Sequence, residues 1–182
     1  MTLSDESAVG PPPATRDHAA PPDAGTAAFS PLDFRRVLSA WPTGIAVVTA
    51  QHAGEPAGLV CNSFTSVSLS PPLVSWCVGK ESSRLGVWLR ARAFAVHFLP
   101  AGRSDLVTRF SRKDGDKFAG LDWVAGTTGA PLLPGCAAHL ECRTWQQYDG
   151  GDHVILVGQV VGMAESGGPV LSFHRGRVGR MP

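Results

Sequence analysis

The chain has 182 residues, enough for one domain with a sizeable core. Sixteen Lys and Arg stand against fifteen Asp and Glu, a net charge of +1, which argues against the basic excess of a nucleic-acid binder. Hydrophobic residues make up 43% and charged residues 17%, a globular balance, and 21 Gly with 15 Pro favour a β-rich chain over a helical bundle. No polybasic run suggests a membrane surface, and no apolar run approaches the roughly 18–20 residues of a membrane span. The N-terminus lacks a basic stretch followed by an apolar one, so no secretory signal is expected. Four cysteines are too few for a disulfide scaffold, and the expectation is a cytoplasmic protein with reduced thiols.

Residues 1–28 stand apart. They hold five prolines and seven alanines, with no aromatic residue and no periodicity. Such a segment buries too little apolar area to offset its ordering entropy, so it reads as a disordered tail ahead of a domain at 29–182. Structure is expected from Phe29 onward. Ser30 suits a helix N-cap, Pro31 the first helical position, and Asp33 lies three residues past the cap. Leu32, Phe34, Val37, Leu38 and Trp41 then mark one broad apolar face, which Pro42 and Gly44 end.

The rhythm next changes to strands. Gly44 to Ala50 is a short run rich in β-branched residues, closed by a turn at Gly54-Glu55-Pro56. Gly58 to Leu69 forms two strand-like pieces, with Ser66, Ser68 and Ser70 alternating against Val67 and Leu69. After Pro71-Pro72, Leu73 to Val78 is another strand. Ser82 or Ser83 caps a short helix containing Leu85, Val87, Trp88 and Leu89. A strand over Phe94 to Leu99, a helix over Asp105 to Phe110 and a polar loop from Ser111 to Lys117 follow. Cys136 to Trp145 alternates as a long strand. Tyr148 to Gly151 turns the chain into a strand from His153 to about Val161, and Val170 to His174 is the last. Six or more closely spaced strands with two or three helical plugs point to a closed or half-closed β-barrel.

Few motifs carry chemistry. Cys136, His139 and Cys142 have a spacing that superficially suits zinc, but on a strand His139 faces away from the two thiols, so the cysteines read as small core residues and no metal is expected. There is no G-x-S-x-G elbow, no P-loop and no G-x-G-x-x-G after a strand. What remains is polar β structure over Cys61-Asn62-Ser63-Phe64-Thr65-Ser66-Val67-Ser68. It either binds a flat heterocycle through edge donors and acceptors or is a serine-rich edge strand facing water. Lys80 to Arg84 places cationic and hydroxyl groups at a helix start, where free backbone N–H groups attract anions. Arg109, Arg112, Lys113 and Lys117 add positive charge nearby, which also fits a solvated loop. His153, after Gly150-Gly151-Asp152, is either an idle surface residue or one whose tautomer Asp152 holds.

Taken in order, these pieces resemble the flavin reductase family of the FMN-binding split barrel. The resemblance rests on Phe34-Arg35-Arg36-Val37, Trp41 to Thr49, Gly58, Asn62 to Leu69 with Pro71-Pro72-Leu73, and Cys77 with Ser82-Ser83. It continues through Arg109-Phe110, Asp116 to Gly120 with Asp122-Trp123, Pro131-Leu132, Glu141-Cys142, Gly150 to His153, Gly158 and Arg175-Gly176. Val178 departs from the pattern, standing near where many members have an aromatic residue. The resemblance implies a mainly β, six-stranded split β-barrel with a few short α-helices, working as a homodimer. It implies NAD(P)H:flavin oxidoreductase activity, with NADH or NADPH reducing FMN or FAD for a flavin-dependent monooxygenase partner. The flavin ring is then expected along Leu59, Val60, Asn62 and Ser63, with Cys77 close by. The phosphate is expected at Ser83, Arg84, Arg109 and Phe110. The nicotinamide is expected beside Phe173, His174, Arg175 and Gly176, with His153 as the catalytic candidate. Hydride transfer needs no nucleophile from the protein, which agrees with the missing triad. The rival readings are a split-barrel flavoprotein with another redox substrate and a flavin-binding protein without turnover.

Overall fold

The computed structural model describes residues 28–182. The expected tail thus lies almost wholly outside the described residues. Helix α1 spans Pro31–Leu38. The Ser30 hydroxyl accepts the Asp33 N–H at 3.1 Å, and Pro31 occupies the first turn, as the local signals predict. The helix stops three residues before Trp41, and none of its residues is buried. Its apolar side faces outward, with Leu32 77% and Trp41 74% exposed.

Strands β1 (Thr43–Gly44), β2 (Ala46–His52) and β3 (Glu55–Cys61) follow. The turn between β2 and β3 is Ala53-Gly54, at φ 51° and 81°, the conformation that matches the twist of a two-residue hairpin. Glu55 and Pro56, expected in that turn, therefore begin β3. Next come β4 (Thr65–Leu69), β5 (Pro72–Gly79), α2 (Leu85–Arg90), β6 (Ala93–Phe98) and α3 (Ser104–Phe110). Two short strands, β7 (Val124–Ala125) and β8 (Pro131–Leu132), precede the long pair β9 (Ala138–Gly150) and β10 (His153–Glu165). The chain ends with β11 (Val170–His174) and β12 (Arg177–Met181). No helix among the described residues is long and apolar enough to cross a membrane.

The main sheet is antiparallel, in the order β3-β2-β6-β9-β10-β5-β4. Its two edges, β3 and β4, are consecutive in the chain and joined by residues 62–64 alone. So short a link spans about 10–14 Å at most, so the two edges must meet and the sheet curls into a barrel with a seam. The ladder counts seven strands rather than six. The Ser63 hydroxyl, accepting the Cys77 N–H at 3.0 Å, ties the link across the seam to β5.

Two hydrophobic clusters lie on the two faces of this sheet. The inner one takes alternate residues of β2, β5 and β6, among them Val48, Trp76 and Phe94, with Val87 and Trp88 of α2 packed against them. The outer one holds Val47, Leu106 and Phe110 under α3, and Leu171 of β11. Strand β2 is covered on both faces, which is why Ile45 to Ala50 reads as a continuous apolar run instead of alternating. Gly158 lies at a register shift between β9 and β10, where a Cβ would overlap the Phe94 ring. Ser82 and Ser83 do not cap α2: Arg84 holds that position with no side-chain cap bond, and the helix has only six residues. Cys136 precedes β9 and belongs to the outer cluster while Cys142 belongs to the inner one, so the two do not share a strand face. Burial raises both thiols, Cys136 to about 11 and Cys142 to about 12. Strand β10 runs four residues past the expected end, and β12, unanticipated, pairs with β11 in a three-stranded sheet with β1.

Candidate functional site

The seam opens onto a groove along the outside of β3. Its first compartment, about 250 Å³, is lined by Leu59, Val60, Cys61, Asn62 and Ser63 from one edge and by Cys77, Val78 and Gly79 of β5 from the other. Ser82 and His153 complete it. The second compartment, about 580 Å³, shares Leu59, Val60 and Ser82 with the first and adds Ser83, Phe110, Arg112, Lys113 and Lys117. The third, about 410 Å³, shares Ser83, Lys113 and Lys117 with the second and adds Arg84. The groove thus runs from a neutral polar end to a charged one, where Arg84, Arg112, Lys113 and Lys117 stand beside Glu81, Asp114 and Asp116.

The neutral end is built by strand geometry. Successive residues of β3 face opposite sides, so Leu59 packs with the inner cluster and Val60 with the outer one. Asn62 and Ser63 leave the ladder and present their polar groups at the seam. His153 lies beside Gly79, its Nε2 at ordinary contact distance, 3.8 Å, from where a Cβ would stand. His153 opens β10 opposite Gly79, and its Nδ1 lies 2.7 Å from Asp152 Oδ1. The hydrogen bond to His153, and then the charges of His153 and of Arg35 on α1, hold the Asp152 carboxyl below its usual value. The Lys80 N–H donates to the Asp152 carbonyl at 2.9 Å, and Lys80 Nζ lies 2.6 Å from Asp149 Oδ2. These bonds clamp the β9–β10 turn over the end of β5.

The charged end is held by the loop after α3. Arg84 Nη1 pairs with Glu55 Oε2 at 2.9 Å. Lys117 Nζ donates to the carbonyls of Phe110 at 3.0 Å and Gly58 at 3.1 Å. Burial, with the Arg84 charge beside it, lowers the Lys117 ammonium below its ordinary value. Asp116 Oδ1 accepts the N–H groups of Phe118 and Ala119, a local turn that short acidic and amide side chains favour. Arg109 lies outside the lining of the groove. Its Nη1 donates to the carbonyls of Lys117 at 3.2 Å and Ala119 at 2.8 Å, so it braces the loop. Phe110 is buried over Gly58, where any Cβ would strike its ring.

Phe173, His174, Arg175 and Gly176 do not line the groove. Phe173 packs on the outer cluster, and Arg175 and Gly176 form the β11–β12 turn at φ 47° and 74°. The Arg175 N–H donates to the Ser39 carbonyl at 2.9 Å, which ties this turn to the end of α1. An apolar cavity of about 240 Å³ lies beyond Phe64 and Phe98, with Glu165 as its sole charged lining residue. The structure thus brings His153 together with Leu59, Val60, Asn62, Ser63, Cys77 and Ser82 at one end, and Ser83 with Arg84 and Lys117 at the other. The tie between the end of α1 and the β11–β12 turn left no trace in the sequence, because it depends on how β11 and β12 fold back.

The flavin reductase like domain model matches residues 38–182. The chain is 45% identical over 147 residues to the FMN reductase (NADH) SmoA of Agrobacterium fabrum, covering 81% of this chain and 84% of that protein. It is 38% identical over 152 residues to HsaB, the reductase subunit of a flavin-dependent monooxygenase of Rhodococcus jostii, covering 82% and 77%. The solved structure of the NADH:FAD oxidoreductase SgcE6 of Streptomyces globisporus, in complex with NAD and FAD fragments, superposes with a TM-score of 0.78. It has 42% identity and covers 83% of this chain and 92% of that one. With its sheet curled at a polar seam and this match over most of its length, the chain belongs to the flavin reductase like domain family.

Proposed function

We propose that the chain is an NADH-dependent flavin reductase that passes hydride to FMN or FAD and supplies reduced flavin to a separate monooxygenase component. The observation that carries this reading is the polarity of the groove, neutral at Asn62, Ser63 and His153 and cationic at Arg84 and Lys117. A flavin nucleotide has the same polarity, a flat ring with edge donors and acceptors at one end and phosphate at the other. Gly58 matters as well, since the absence of a side chain there lets the Phe110 ring close over β3 beside the groove. The nicotinamide supplies hydride and the flavin accepts it, so the protein's work is positioning and electrostatics.

In this reading Leu59, Val60 and Cys77 flank the ring, and Asn62 and Ser63 meet its polar edge. Ser83, Arg84 and Lys117 hold the phosphate. Arg109 acts at one remove, by bracing the loop that carries Lys117. Asp152 accepts from His153 Nδ1, which leaves Nε2 facing the groove to orient the nicotinamide or carry a proton. The names of SmoA and SgcE6 support NADH as donor, and that of HsaB supports an oxygenase partner. The outward apolar side of α1 supports a homodimer, since Leu32, Phe34, Val37, Leu38 and the following Trp41 are half or more exposed among the described residues. The four unpaired thiols suit a reducing cytoplasm.

Anaerobic mixing with NADH and FMN or FAD tests the activity. Loss of the oxidised flavin's visible absorbance is expected, and no loss with either flavin refutes it. Sedimentation is expected to give about twice the 19.1 kDa chain mass, and a stable active monomer refutes the dimer.

A further inference from the structure

One cavity lies apart from the groove and has no part in the flavin reading. It measures about 260 Å³ and sits between the β2–β3 turn, the C-terminal end of α2 and the loop that joins β7 to β8. Gln51, His52 and Gly54 line it from the turn, Arg90 and Arg92 from the end of α2, and Thr128 to Ala130 from the loop. Its walls are fixed. The loop side hangs on the buried Glu141, whose Oε2 accepts the Thr127 hydroxyl at 3.0 Å, the Thr128 N–H at 3.0 Å and the Thr128 hydroxyl at 3.2 Å. The buried Thr49 hydroxyl donates to the Pro131 carbonyl and pins the end of the same loop to β2. The turn side is a two-residue hairpin held in register, with His52 opposite Glu55.

Three basic side chains line this cavity and, among the described residues, no acidic one does. Arg90, Arg92 and His52 form no ion pair among the described residues. Gln51 and His52 are half-buried at its wall. The neighbouring carboxylates are engaged elsewhere, Glu55 by Arg84 on the groove side and Glu141 by the loop. Arg143, opposite Ala93 in the β6–β9 ladder, adds a further exposed cation. A chain of net charge +1 has acids enough to pair these groups, yet none is set among them. Cations gathered round one cavity repel each other unless an anion joins them. We propose that the cavity binds a phosphate group, free or carried as the ester of a small molecule. Arg90 and Arg92 each offer a guanidinium fork that matches phosphate oxygens, with His52 and Gln51 as further donors. The two guanidinium charges offset a phosphate dianion, whereas a single carboxylate leaves one of them unmet. None of these four residues lines the groove, so the site is separate from the one assigned to the flavin phosphate and does not rest on that assignment.

The amide resonances of Gly54 and Gly129, both at the cavity wall, provide the test in the full chain. They are followed during titration with inorganic phosphate and with ribose 5-phosphate, at low and high salt. In the parent both are expected to shift saturably, with weaker binding at high salt. Arg90→Ala and Arg92→Ala are each expected to weaken binding about tenfold, the lower end for a hydrogen bond to a charged group. Arg84→Ala, which alters the groove, is expected to leave these shifts unchanged. Tighter binding of ribose 5-phosphate than of phosphate assigns an ester as the ligand, equal affinities assign the free ion, and either supports the site. No saturable shift at the two glycines with either probe overturns it. Parental affinity in both alanine variants also overturns it, as does a loss in Arg84→Ala as large as theirs. Arg92→Ala is expected to reduce flavin with NADH within about twofold of the parental rate, and a tenfold loss would overturn the separation of this site from the groove. A parent that reduces no flavin refutes the flavin reading alone, because the phosphate titration needs no turnover.

Discussion

His97 ties stability to pH through its place in the fold. It sits on β6, fully buried, with Nδ1 3.0 Å from the Val47 carbonyl and Nε2 3.1 Å from the Leu133 backbone nitrogen. The Leu133 N–H must donate to Nε2, so Nδ1 carries the proton and donates to Val47. A second proton on Nε2 would set one N–H against another. Burial is the main cause that brings the imidazolium pKa down to about 4, aided by the His139 charge and opposed by the Val47 carbonyl. The unfolded chain, with an ordinary histidine near 6.5, binds more protons than the folded one between these values. Stability is therefore full above about pH 6.5 and is lost as pH falls towards 4, by about 3 kcal/mol in all and about 2 kcal/mol from pH 7 to pH 5. Glu141 and Asp105, both held below their usual carboxyl values, lose their contributions at lower pH, outside this window. Urea unfolding of the parent and of His97→Gln across pH 5–7 measures the effect, and the parent is expected to lose about 2 kcal/mol more than the variant. The ring resonances of His97 in the folded parent provide a check that does not depend on the variant folding. Equal pH slopes for the two proteins, or a His97 midpoint near 6.5, would refute the reasoning.

Three further outcomes are expected. Gly158→Ala drives a methyl group into the Phe94 ring at the β9–β10 register shift, and denaturant titration should show a loss of about 1–3 kcal/mol, with no loss meaning that the ring yields freely. Arg84→Ala should weaken FMN binding about tenfold and riboflavin binding little, whereas Arg109→Ala should weaken both alike by loosening the 117–119 loop. Fluorescence titration distinguishes the two patterns, and a phosphate-selective loss at Arg109 would reverse their assigned roles. His153→Ala should leave flavin affinity near parental and raise the nicotinamide KM or slow reduction about 10–100-fold. Parental kinetics in that variant would make His153 a surface turn residue.

Local chemistry made much of this protein legible in its sequence. Ser30, Pro31 and Asp33 specify the start of α1 because an N-cap and its first turn are settled within four residues. The apolar run at Ile45–Ala50 and the polar stretch at Asn62–Ser63 mark β2 and the seam, because a doubly covered strand must be apolar on both faces and a strand leaving its ladder need not be. Gly150 to His153 likewise announces a turn into a strand. The resemblance carried the barrel and the flavin chemistry, which periodicity alone did not reach. What only the tertiary structure decided was where long-range partners fall. Arg109 matched a phosphate-binding pattern in the sequence, yet its guanidinium is drawn to the carbonyls of Lys117 and Ala119. The apolar side of α1 gave a sound helical period but no sign that it would face outward. Strand β12, polar and glycine-containing, exists because β11 offers it a ladder of backbone bonds. Its turn brings the Arg175 N–H to the Ser39 carbonyl and so ties the end of α1 to the β11–β12 turn. Caps, turns and alternation depend on neighbours a few residues away, whereas the guanidinium of Arg109 answers to a loop that only folding lays beside α3, and the Arg175 N–H finds the Ser39 carbonyl, far off in the chain, only when the strands have packed.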